Sequence, residues 1–204
     1  MECQLAAARP VDPDRIAKLI HSTDPHIFGA LHGEDHTLAL QHLSKQWQSD
    51  AGIFSYRFAR AAWMGETLAG ICLGFDASQQ AAAIEPYILQ AQRFLTEEQF
   101  GVGFAWWSRH GFLTLPEIPA DAWYIQNLAV DDAYRRRGIG EAMLRDCIEN
   151  AREAAYGRVH LDVYEGNSAI DLHRRMGFDV IVETRVLPLM ADGFPAHLRM
   201  ERVL

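Results

Sequence analysis

Apolar residues recur along the C-terminal half of this chain at two different spacings. Residues 123–130 form an apolar run with β-branched and aromatic side chains, and residues 158–164 alternate apolar with polar positions, so both segments predict strands. Between them, helical spacing separates the apolar residues Ile139, Met143, Cys147, Ile148 and Ala151. The pattern therefore predicts a strand, an amphipathic helix and a second strand, in that order.

The same spacing rules predict the rest of the chain. We expect further strands at residues 4–9, 54–63, 68–75, 178–186 and about 198–204. We expect helices that begin at Val11-Asp12-Pro13-Asp14 and that cover about residues 37–48 and 85–100. A loop around Asp24-Pro25 would separate the first two helices, and Pro86 would lie in the first turn of the third. Residues 64–67 predict a hairpin turn.

Aromatic side chains crowd the segment that follows the third predicted helix. Gly101, Gly103 and Gly111 lie among the aromatic residues Phe104, Trp106, Trp107 and Phe112. Large aromatic side chains are usually buried in proteins. We therefore interpret these four side chains as part of the core.

Composition limits the class of protein. The chain has 204 residues, of which 49% are hydrophobic and 23% charged, which suits one domain with its own core. The formal charge is −8 at pH 7. This charge argues against a nucleic-acid partner, which would require a basic face, and it favours cationic partners.

Cysteine usage and the apolar runs bear on location. Cys3, Cys72 and Cys147 are scattered and odd in number, so we expect neither a disulfide framework nor a Cys-rich metal site, and a reducing cytoplasm fits best. The first ten residues lack the pattern of a signal peptide. The apolar run at residues 68–75 is far shorter than the roughly 20 residues of a membrane helix, so no membrane partner is expected.

A basic, glycine-containing turn lies between the strand at residues 123–130 and the following helix. Unpaired backbone N–H groups and the positive helix end point to one spot at such a junction, and Gly138 and Gly140 let an anion approach the main chain. Residues 135–137 are arginines and add positive charge. The turn does not fit a dinucleotide fingerprint, since Met143 takes the place of the third glycine, and no Walker-type Gly-Lys-Ser/Thr follows.

The turn and its surroundings resemble the GNAT superfamily of N-acetyltransferases. The resemblance rests on Leu128-Ala129-Val130, Arg135-x-x-Gly138-x-Gly140, Asn167-Ser168-Ala169, Leu172-His173 and Met176-Gly177-Phe178. Two departures from the family pattern are the shortened spacing after Asn167 and His173 in place of a tyrosine. The resemblance implies one α/β domain over residues 1–204, with a mixed, mostly antiparallel twisted sheet flanked by helices.

Within that domain, the resemblance divides the chain by role. The cofactor-binding signature covers residues 121–185. A helical and aromatic insertion at about residues 79–113 precedes it, in the region where family members vary and where acceptor choice would be made.

The resemblance also implies a binding mode for acetyl-CoA as cosubstrate. The pyrophosphate would meet the main chain from Arg136 to Glu141 and the side chain of Arg135, while Asn167 would contact the pantetheine arm. The implied cofactor-binding residues are Leu128, Ala129, Val130, Arg135, Arg136, Arg137, Gly138, Ile139, Gly140, Glu141, Asn167, Ala169 and His173. The arginines could instead form a solvated basic turn, and Asn167 could simply cap a helix.

His173, Tyr124 and Leu128 are the implied catalytic residues. The amide of Leu128 would polarise the thioester carbonyl. His173 stands where the family has the residue that protonates the CoA thiolate; an imidazolium with a pKa near 6.5 could do so, or His173 could only pack on the CoA tail.

The general base is open. Strand alternation places Tyr124, Gln126 and Leu128 on one face, where relatives carry a Glu or His, yet neither a tyrosine nor an amide takes a proton readily at neutral pH. A water chain to Asp121, Glu117 or a residue of the insertion, or direct binding of the free amine, would replace the missing base.

We therefore predict a cytoplasmic acetyl-CoA-dependent N-acetyltransferase that transfers the acetyl group directly to a small-molecule or peptide amine. A non-catalytic CoA-binding sensor is the alternative, and a homodimer is compatible with both. A zinc hydrolase built on His32 and His36 is a third hypothesis. The two histidines are four residues apart, but the His-Glu-x-x-His order of a zinc helix is absent, so we expect no metal and assign the loop to the acceptor-site wall or the surface.

Overall fold

One mixed sheet organises the computed structural model, which describes residues 3–114 and 117–204. Its strands within these ranges are β1 (Cys3–Ala7), β2 (Ala59–Met64), β3 (Thr67–Phe75), β4 (Ala122–Val130), β5 (Arg158–Tyr164), β6 (Asp179–Thr184) and β7 (His197–Val203). The strand order is β1-β2-β3-β4-β5-β7-β6. Only β4 and β5 pair in parallel, which confirms the mixed, mostly antiparallel sheet expected from the sequence.

Helices cover both faces of this sheet. Over the described residues they are α1 (Pro13–Thr23), α2 (Pro25–Leu31), α3 (His36–Gln48), α4 (Ala77–Phe94), α5 (Glu97–Thr114), α6 (Ile139–Glu153), α7 (Ala169–Arg175) and α8 (Leu187–Ala191). The result is one α/β domain in which α6 follows the strand-turn junction, as the hydrophobic spacing predicts.

Two apolar clusters pack on opposite sides of the sheet. The face covered by α1 and α3, called here the α1 face, includes the strand residues Ile71, Leu73, Phe75, Tyr124 and Ala129. The face covered by α6 and α7, called here the α6 face, includes the strand residues Ala69, Cys72, Ile125, Leu161 and Met200. A residue's face therefore decides which helices it can meet.

The prediction for the segment around residue 25 was wrong. A helix, α2, occupies Pro25–Leu31, where a loop was expected. The Asp24 carboxylate accepts the Ile27 N–H (3.0 Å), and Pro25 lies at the first helical position. An Asp-Pro pair is a helix start signal, so the physical basis of α2 is visible in the sequence once the pair is interpreted that way.

The bounds predicted for the helix at residues 85–100 were also wrong. The chain forms α4 and α5 there, and Pro86 lies inside α4 rather than in its first turn. Asp76 and Gln79 form a capping box at the start of α4. This reciprocal cap fixes the start nine residues earlier than the proline suggests.

The aromatic segment does not form core as a whole. The Phe104 side chain on α5 is 62% exposed, and Trp106 and Trp107 are half-buried. Trp106 stacks on Phe194 (ring centroids 6.0 Å apart). The Phe112 side chain lies outside the part of the chain that the structure describes. Helix α5 thus presents aromatic surface beside the loop that precedes β7.

Two smaller differences concern element ends. Residues 56–58 form a short 3₁₀ turn, so β2 begins at Ala59 rather than Phe54. Helix α8 lies in the segment between β6 and β7, where a loop was predicted. Its start at Leu187-Pro188 again places a proline at the beginning of a helix.

Candidate active site

The parallel pair β4–β5 separates part-way along its length. Cα partners run from Ala122 opposite Arg158 to Ile125 opposite Leu161, and no pairing across the two strands continues beyond them. Residues 126–130 of β4 and 162–164 of β5 therefore border a gap, which we call the β4–β5 gap. An extended ligand arm can enter such a gap and bond to the strand edge.

A bulge in β4 lies where the gap begins. Asn127 pairs with Leu73 and Ile125 pairs with Gly74, which leaves Gln126 as the extra residue. A bulge shifts the alternation of side chains by one position. The Gln126 amide accordingly reaches the α1 face, where it donates to the Ile53 carbonyl (3.3 Å).

The prediction that Tyr124, Gln126 and Leu128 share one face was therefore wrong for Leu128. Tyr124 belongs to the cluster on the α1 face, whereas Leu128 packs against the cluster on the α6 face. Simple alternation fails because the bulge adds one residue between them.

The backbone N–H of Leu128 points into the gap. The Asp131 N–H donates to the Ala69 carbonyl of β3 (2.9 Å), and backbone groups alternate sides along a strand, so Ala129 also faces β3 while Leu128 and Val130 face the gap. The Arg135 Nε donates to the Val130 carbonyl (3.1 Å), which agrees with this assignment. An unused donor is thus available at the gap edge.

The turn before α6 leaves the helix N-terminus open. Gly138 precedes α6 with φ 78°, and no side chain caps the helix. A Cβ at Gly138 would meet no atom within 4 Å. Arg136 also has a positive φ of 60°. This geometry exposes the first N–H groups of α6, from Ile139 to Glu141, as an anion site requires.

The arginines of the turn are exposed, and two of them make contacts within the turn. Arg135 pairs with Asp132 (2.8 Å), and the Arg137 guanidinium lies over the Tyr134 ring (5.4 Å). Beside them opens a cleft of about 460 Å³ lined by Cys3, Met64, Thr67, Tyr134, Arg137 and Ile139. The turn therefore combines free backbone donors, positive charge and adjacent space.

Asn167 acts as a cap in this structure. Its Oδ1 accepts the Ala169 N–H (2.9 Å) at the start of α7, as the helix-cap alternative predicts, and the side chain is exposed. Gly140 lies opposite α7, since a Cβ there would come 3.4 Å from the Leu172 side chain. The start of α6 thus lies next to α7.

His173 lies on α7 in a buried position. Its side chain is 5% exposed, and its Nδ1 has no hydrogen-bond partner among the described residues. Burial lowers the pKa of His173 to about 4. The expected pKa near 6.5 was therefore wrong for the protein without ligand, because desolvation disfavours the imidazolium. A neutral imidazole with a free nitrogen remains.

Tyr124 is held by a buried ion pair. Its hydroxyl donates to Asp162 Oδ2 (2.9 Å), and Arg199 binds both oxygens of Asp162 (2.6 and 2.9 Å). Burial, and next the Asp162 charge, raise the pKa of Tyr124 well above its ordinary value. Tyr124 therefore stays protonated at neutral pH, as the sequence also led us to expect.

The predicted alternative bases lie in different places. Asp121 precedes the paired end of β4, where its carboxylate binds Arg158 (3.0 Å), away from the gap. Glu117 is exposed, and its backbone carbonyl accepts from Arg199 (3.3 Å). Neither contact brings a carboxylate to the gap.

Another carboxylate, Asp24, is hydrogen-bonded to β5, a strand that borders the gap. Its Oδ1 accepts the Tyr164 hydroxyl at the end of β5 as well as the Ile27 N–H. The preceding residue, Thr23, accepts the side-chain amide of Asn127 from β4 (2.7 Å). Burial raises the pKa of Asp24 to about 6. The sequence pattern assigned Asp24 only to a loop between two helices.

Two side-chain oxygens near the bulge are left without donors. Asn127 Oδ1 and Gln126 Oε1 are buried and have no hydrogen-bond partner among the described residues. The amide of Asn127 is fixed in orientation, because the Thr23 hydroxyl already donates to the Ile20 carbonyl (2.7 Å) and must accept from Asn127. Buried acceptors without donors are costly unless a ligand satisfies them.

His32 and His36 do not form a shared site. Buried His32 pairs with His42 on α3 (3.0 Å), while His36 pairs with His21 on α1 (3.0 Å). Burial lowers the pKa of His42 to about 3. Among the residues that the structure describes, no three His, Cys, Asp or Glu side chains converge to hold a metal ion.

A family model agrees with this geometry. The model for the GNAT family of acetyltransferases matches residues 26–178. The chain belongs to the GNAT acetyltransferase family. Members are acyl-CoA-dependent N-acyltransferases, and acetyl-CoA is the family's cosubstrate.

Curated relatives match parts of the chain. An L-ornithine N5-acetyltransferase of Arabidopsis thaliana is 30% identical over 41% of this chain and 39% of its own length. An N-alpha-acetyltransferase of Sulfurisphaera tokodaii is 36% identical over 43% of this chain and 54% of its own length. An uncharacterised protein of Mycobacterium leprae is 34% identical over 48% of this chain and 25% of its own length. The chain thus spans about half or less of each relative.

Solved structures share the fold over nearly the whole chain. An N-acetyltransferase from Staphylococcus aureus superposes with a TM-score of 0.73 at 20% identity, covering 97% of this chain and 99% of the other. A Bacillus subtilis acetyltransferase in complex with CoA gives 0.59 at 14% identity, covering 100% and 99%. In the described ranges, this GNAT protein has no helix that is both long and apolar enough to cross a membrane.

Proposed function

We propose that this protein transfers the acetyl group of acetyl-CoA directly to a primary amine. The observation that carries the proposal is the β4–β5 gap, with the unused Leu128 N–H on β4 and the open N-terminus of α6 at one end. The Leu128 N–H would stabilise the oxyanion that develops on the thioester carbonyl, and the N-terminus of α6 would bind the pyrophosphate.

The residues proposed to hold CoA are those implied by the sequence. Leu128, Ala129 and Val130 form the edge that pantetheine would follow. The turn from Arg135 to Glu141 would take the pyrophosphate. Asn167 and Ala169 lie at the start of α7, and the unpaired, buried Nδ1 of His173 would find a partner in the ligand. Tyr124 would support the site through Asp162 and Arg199 rather than take a proton.

Direct transfer is supported by the positions of the thiols. Cys72 is buried, and its hydrogen bond with Cys147, followed by burial, raises the pKa of Cys72 well above its ordinary value. Cys3 lies on β1, three strands away from β4, and it lines the cleft beside the turn rather than the β4–β5 gap. An acyl-cysteine intermediate needs a thiolate at the thioester, and neither position provides one.

The acceptor is proposed to carry a protonated amine. Asn127 Oδ1 and Gln126 Oε1 lack donors, Asp24 adds a carboxylate, and the formal charge of the chain is −8. An ammonium group supplies donors and compensating charge together. The relatives' names, an L-ornithine N5-acetyltransferase and an N-alpha-acetyltransferase, add one small amine and one class of peptide to test.

Location and assembly are also part of the proposal. A cytoplasmic protein is supported by the three free thiols of Cys3, Cys72 and Cys147. A homodimer would use the edge strand β6, where Val180, Ile181 and Val182 are exposed by 39%, 46% and 51%. Light scattering of the purified protein tests this assembly.

An amine panel tests the function. Purified protein is mixed with acetyl-CoA and L-ornithine, a polyamine, an aminoglycoside or a short peptide with a free N-terminus, and free thiol release and product mass are measured. Acetylation of at least one amine supports the proposal. Tight CoA binding without turnover of any amine contradicts it and supports the alternative, a CoA-binding sensor.

A further inference from the structure

The contacts at residues 23 and 24 tie the α1–α2 junction to both strands that border the gap. Thr23 accepts the side-chain amide of Asn127 on β4 (2.7 Å), and Asp24 accepts the Tyr164 hydroxyl on β5. Because the two anchors lie on strands that have already separated, the junction lies across the gap on the α1 face. The Asp24 carboxylate is therefore held beside the gap in which the proposed function places the thioester.

One oxygen of this carboxylate remains free. Oδ1 accepts from Ile27 N and from the Tyr164 hydroxyl, whereas Oδ2 has no hydrogen-bond partner among the described residues. Oδ2 is also not among their buried, unpaired side-chain atoms, and Asp24 as a whole is half-buried. Oδ2 is thus open to solvent while Oδ1 fixes the carboxylate in place.

A second observation at the same spot indicates a ligand with hydrogen-bond donors. Asn127 is 5% exposed, and its Oδ1 is buried without a donor beside the Thr23–Asp24 junction. An ammonium group carries the donors that Asn127 Oδ1 and Asp24 Oδ2 both lack. An aspartate that only caps α2 does not account for the unpaired Asn127 oxygen.

We propose that Asp24 is the general base that removes a proton from the acceptor ammonium. This inference rests on the proposed function. The ammonium gives one proton to Asp24 Oδ2, and the freed nitrogen lone pair forms the C–N bond at the thioester carbonyl. The C–S bond then breaks with its electron pair on sulfur. The thiolate takes a second proton from the amine nitrogen, the third stays on the amide, and Asp24 releases its proton to solvent.

The environment of Asp24 suits this role. The titratable groups that face it are His26 on α2, Tyr164 on β5 and Tyr124 on β4, and the Asp24 charge contributes to the raised pKa of Tyr124. His197 on β7 packs edge-on against Tyr164 (4.5 Å between centroids). Burial raises the pKa of Asp24 to about 6, while the Tyr164 hydrogen bond opposes that rise. A base of this pKa is mostly ionised at pH 7 and still accepts a proton readily.

Asp24→Asn tests the base with little disturbance to the fold. Asparagine is as good a helix cap as aspartate, and its oxygen can still accept from Ile27 and Tyr164. With the best amine of the panel, we expect kcat/KM at pH 7 to fall about 100- to 10,000-fold, with the CoA Kd within about twofold of wild type. The residual activity should rise about tenfold per pH unit as the free amine becomes more abundant, and Asp24→Glu should restore part of the loss.

Asp76 provides a matched control. It caps α4 through the Gln79 N–H on Oδ1 (2.8 Å) and accepts the Tyr156 hydroxyl on Oδ2 (2.7 Å), so it makes the same two kinds of contact at the other end of the strands. Asp76→Asn should therefore leave kcat/KM and its pH profile unchanged. A purely structural role for capping aspartates would affect both variants alike.

Tyr164→Phe gives a readout specific to the base. Removing the hydroxyl takes away a hydrogen bond that favours the Asp24 carboxylate, so the acid limb of kcat/KM, near pH 6 in wild type, should move to higher pH. If wild type acetylates an amine and Asp24→Asn stays within about threefold of it at pH 7, Asp24 is not the base. If wild type acetylates none of the amines, the proposed function fails, and the base proposal fails with it.

Discussion

Gly138 is the position where one substitution should separate CoA binding from folding. Its φ of 78° places it in the left-handed region, directly before α6, and a Cβ there would meet no atom within 4 Å. A valine at this position has room in the protein without ligand. Its branches would extend into the space before the helix N-terminus, which is the space that the pyrophosphate needs.

The magnitude follows from these two effects. A non-glycine residue in the left-handed region costs roughly 1–2 kcal/mol of stability. Loss of close approach weakens about one hydrogen bond to a charged group, worth about 1–3 kcal/mol. Gly138→Val should therefore raise the Kd of CoA about 5- to 150-fold and also lower the melting temperature.

Calorimetric titration with CoA is the assay, and Gly177→Val is the control. Gly177 has a similar φ of 81°, and a Cβ there would reach only the Arg202 side chain at 3.8 Å. The control should lose similar stability and keep its CoA affinity. Binding of CoA to Gly138→Val within about twofold of wild type would refute the assignment of this turn to pyrophosphate, as would an equal loss in Gly177→Val.

Three further outcomes are expected. CoA and acetyl-CoA should raise the melting temperature while NAD and ATP at matched concentration do not, because only CoA and acetyl-CoA fill both the turn and the gap. Equal stabilisation by ATP would refute binding of the pantetheine arm in the gap. His173→Ala should lower kcat about 10- to 1,000-fold with little change in CoA affinity, and His173→Tyr should recover much of the lost kcat. Because the pKa of His173 is lowered to about 4, wild-type kcat should show no His173 titration between pH 6 and 8. Full activity in His173→Ala would refute a role for His173 in catalysis. The pKa of His42 is lowered to about 3, so below about pH 6.5 the unfolded chain binds a proton that the folded chain does not. The free energy of unfolding should therefore fall as the pH drops from about 6.5. In denaturant melts, this free energy should fall less steeply with pH for His42→Asn than for wild type.

The sequence was sufficient where one physical signal dominated. The strand at residues 123–130, the glycine turn and the helix from Ile139 were all predicted, because apolar spacing and two glycines leave few alternatives. Helix α2 and the start of α4 were missed although Asp24-Pro25 and Asp76 with Gln79 are cap signals. A proline or a short polar stretch also marks a loop, and the loop interpretation was chosen for these segments.

The geometry of the site rests on features that the spacing of residues along the sequence does not predict. The bulge at Gln126 turns Leu128 to the opposite face from Tyr124, and strand alternation gives no sign of one inserted residue. The burial that lowers the pKa of His173 and raises that of Asp24 arises from helices far away in sequence. Long-range packing therefore decides the protonation states, while the local motif decides where CoA would lie.

The departures from the family pattern are physically connected. On β4, Tyr124 is bound to the Asp162–Arg199 pair and Gln126 is an amide, so neither takes the proton that a strand carboxylate would take in a relative. A base that approaches from the α1–α2 junction meets the amine from the α1 face, opposite α7. His173, neutral and on the α6 face, is then free to donate a hydrogen bond to the departing sulfur without competing for the same proton. A base on one face and a hydrogen-bond donor on the other explain how the chain can do without a carboxylate or histidine at Tyr124 and Gln126, and the double variant Asp24→Asn/His173→Ala should lose activity by about the product of the two single losses.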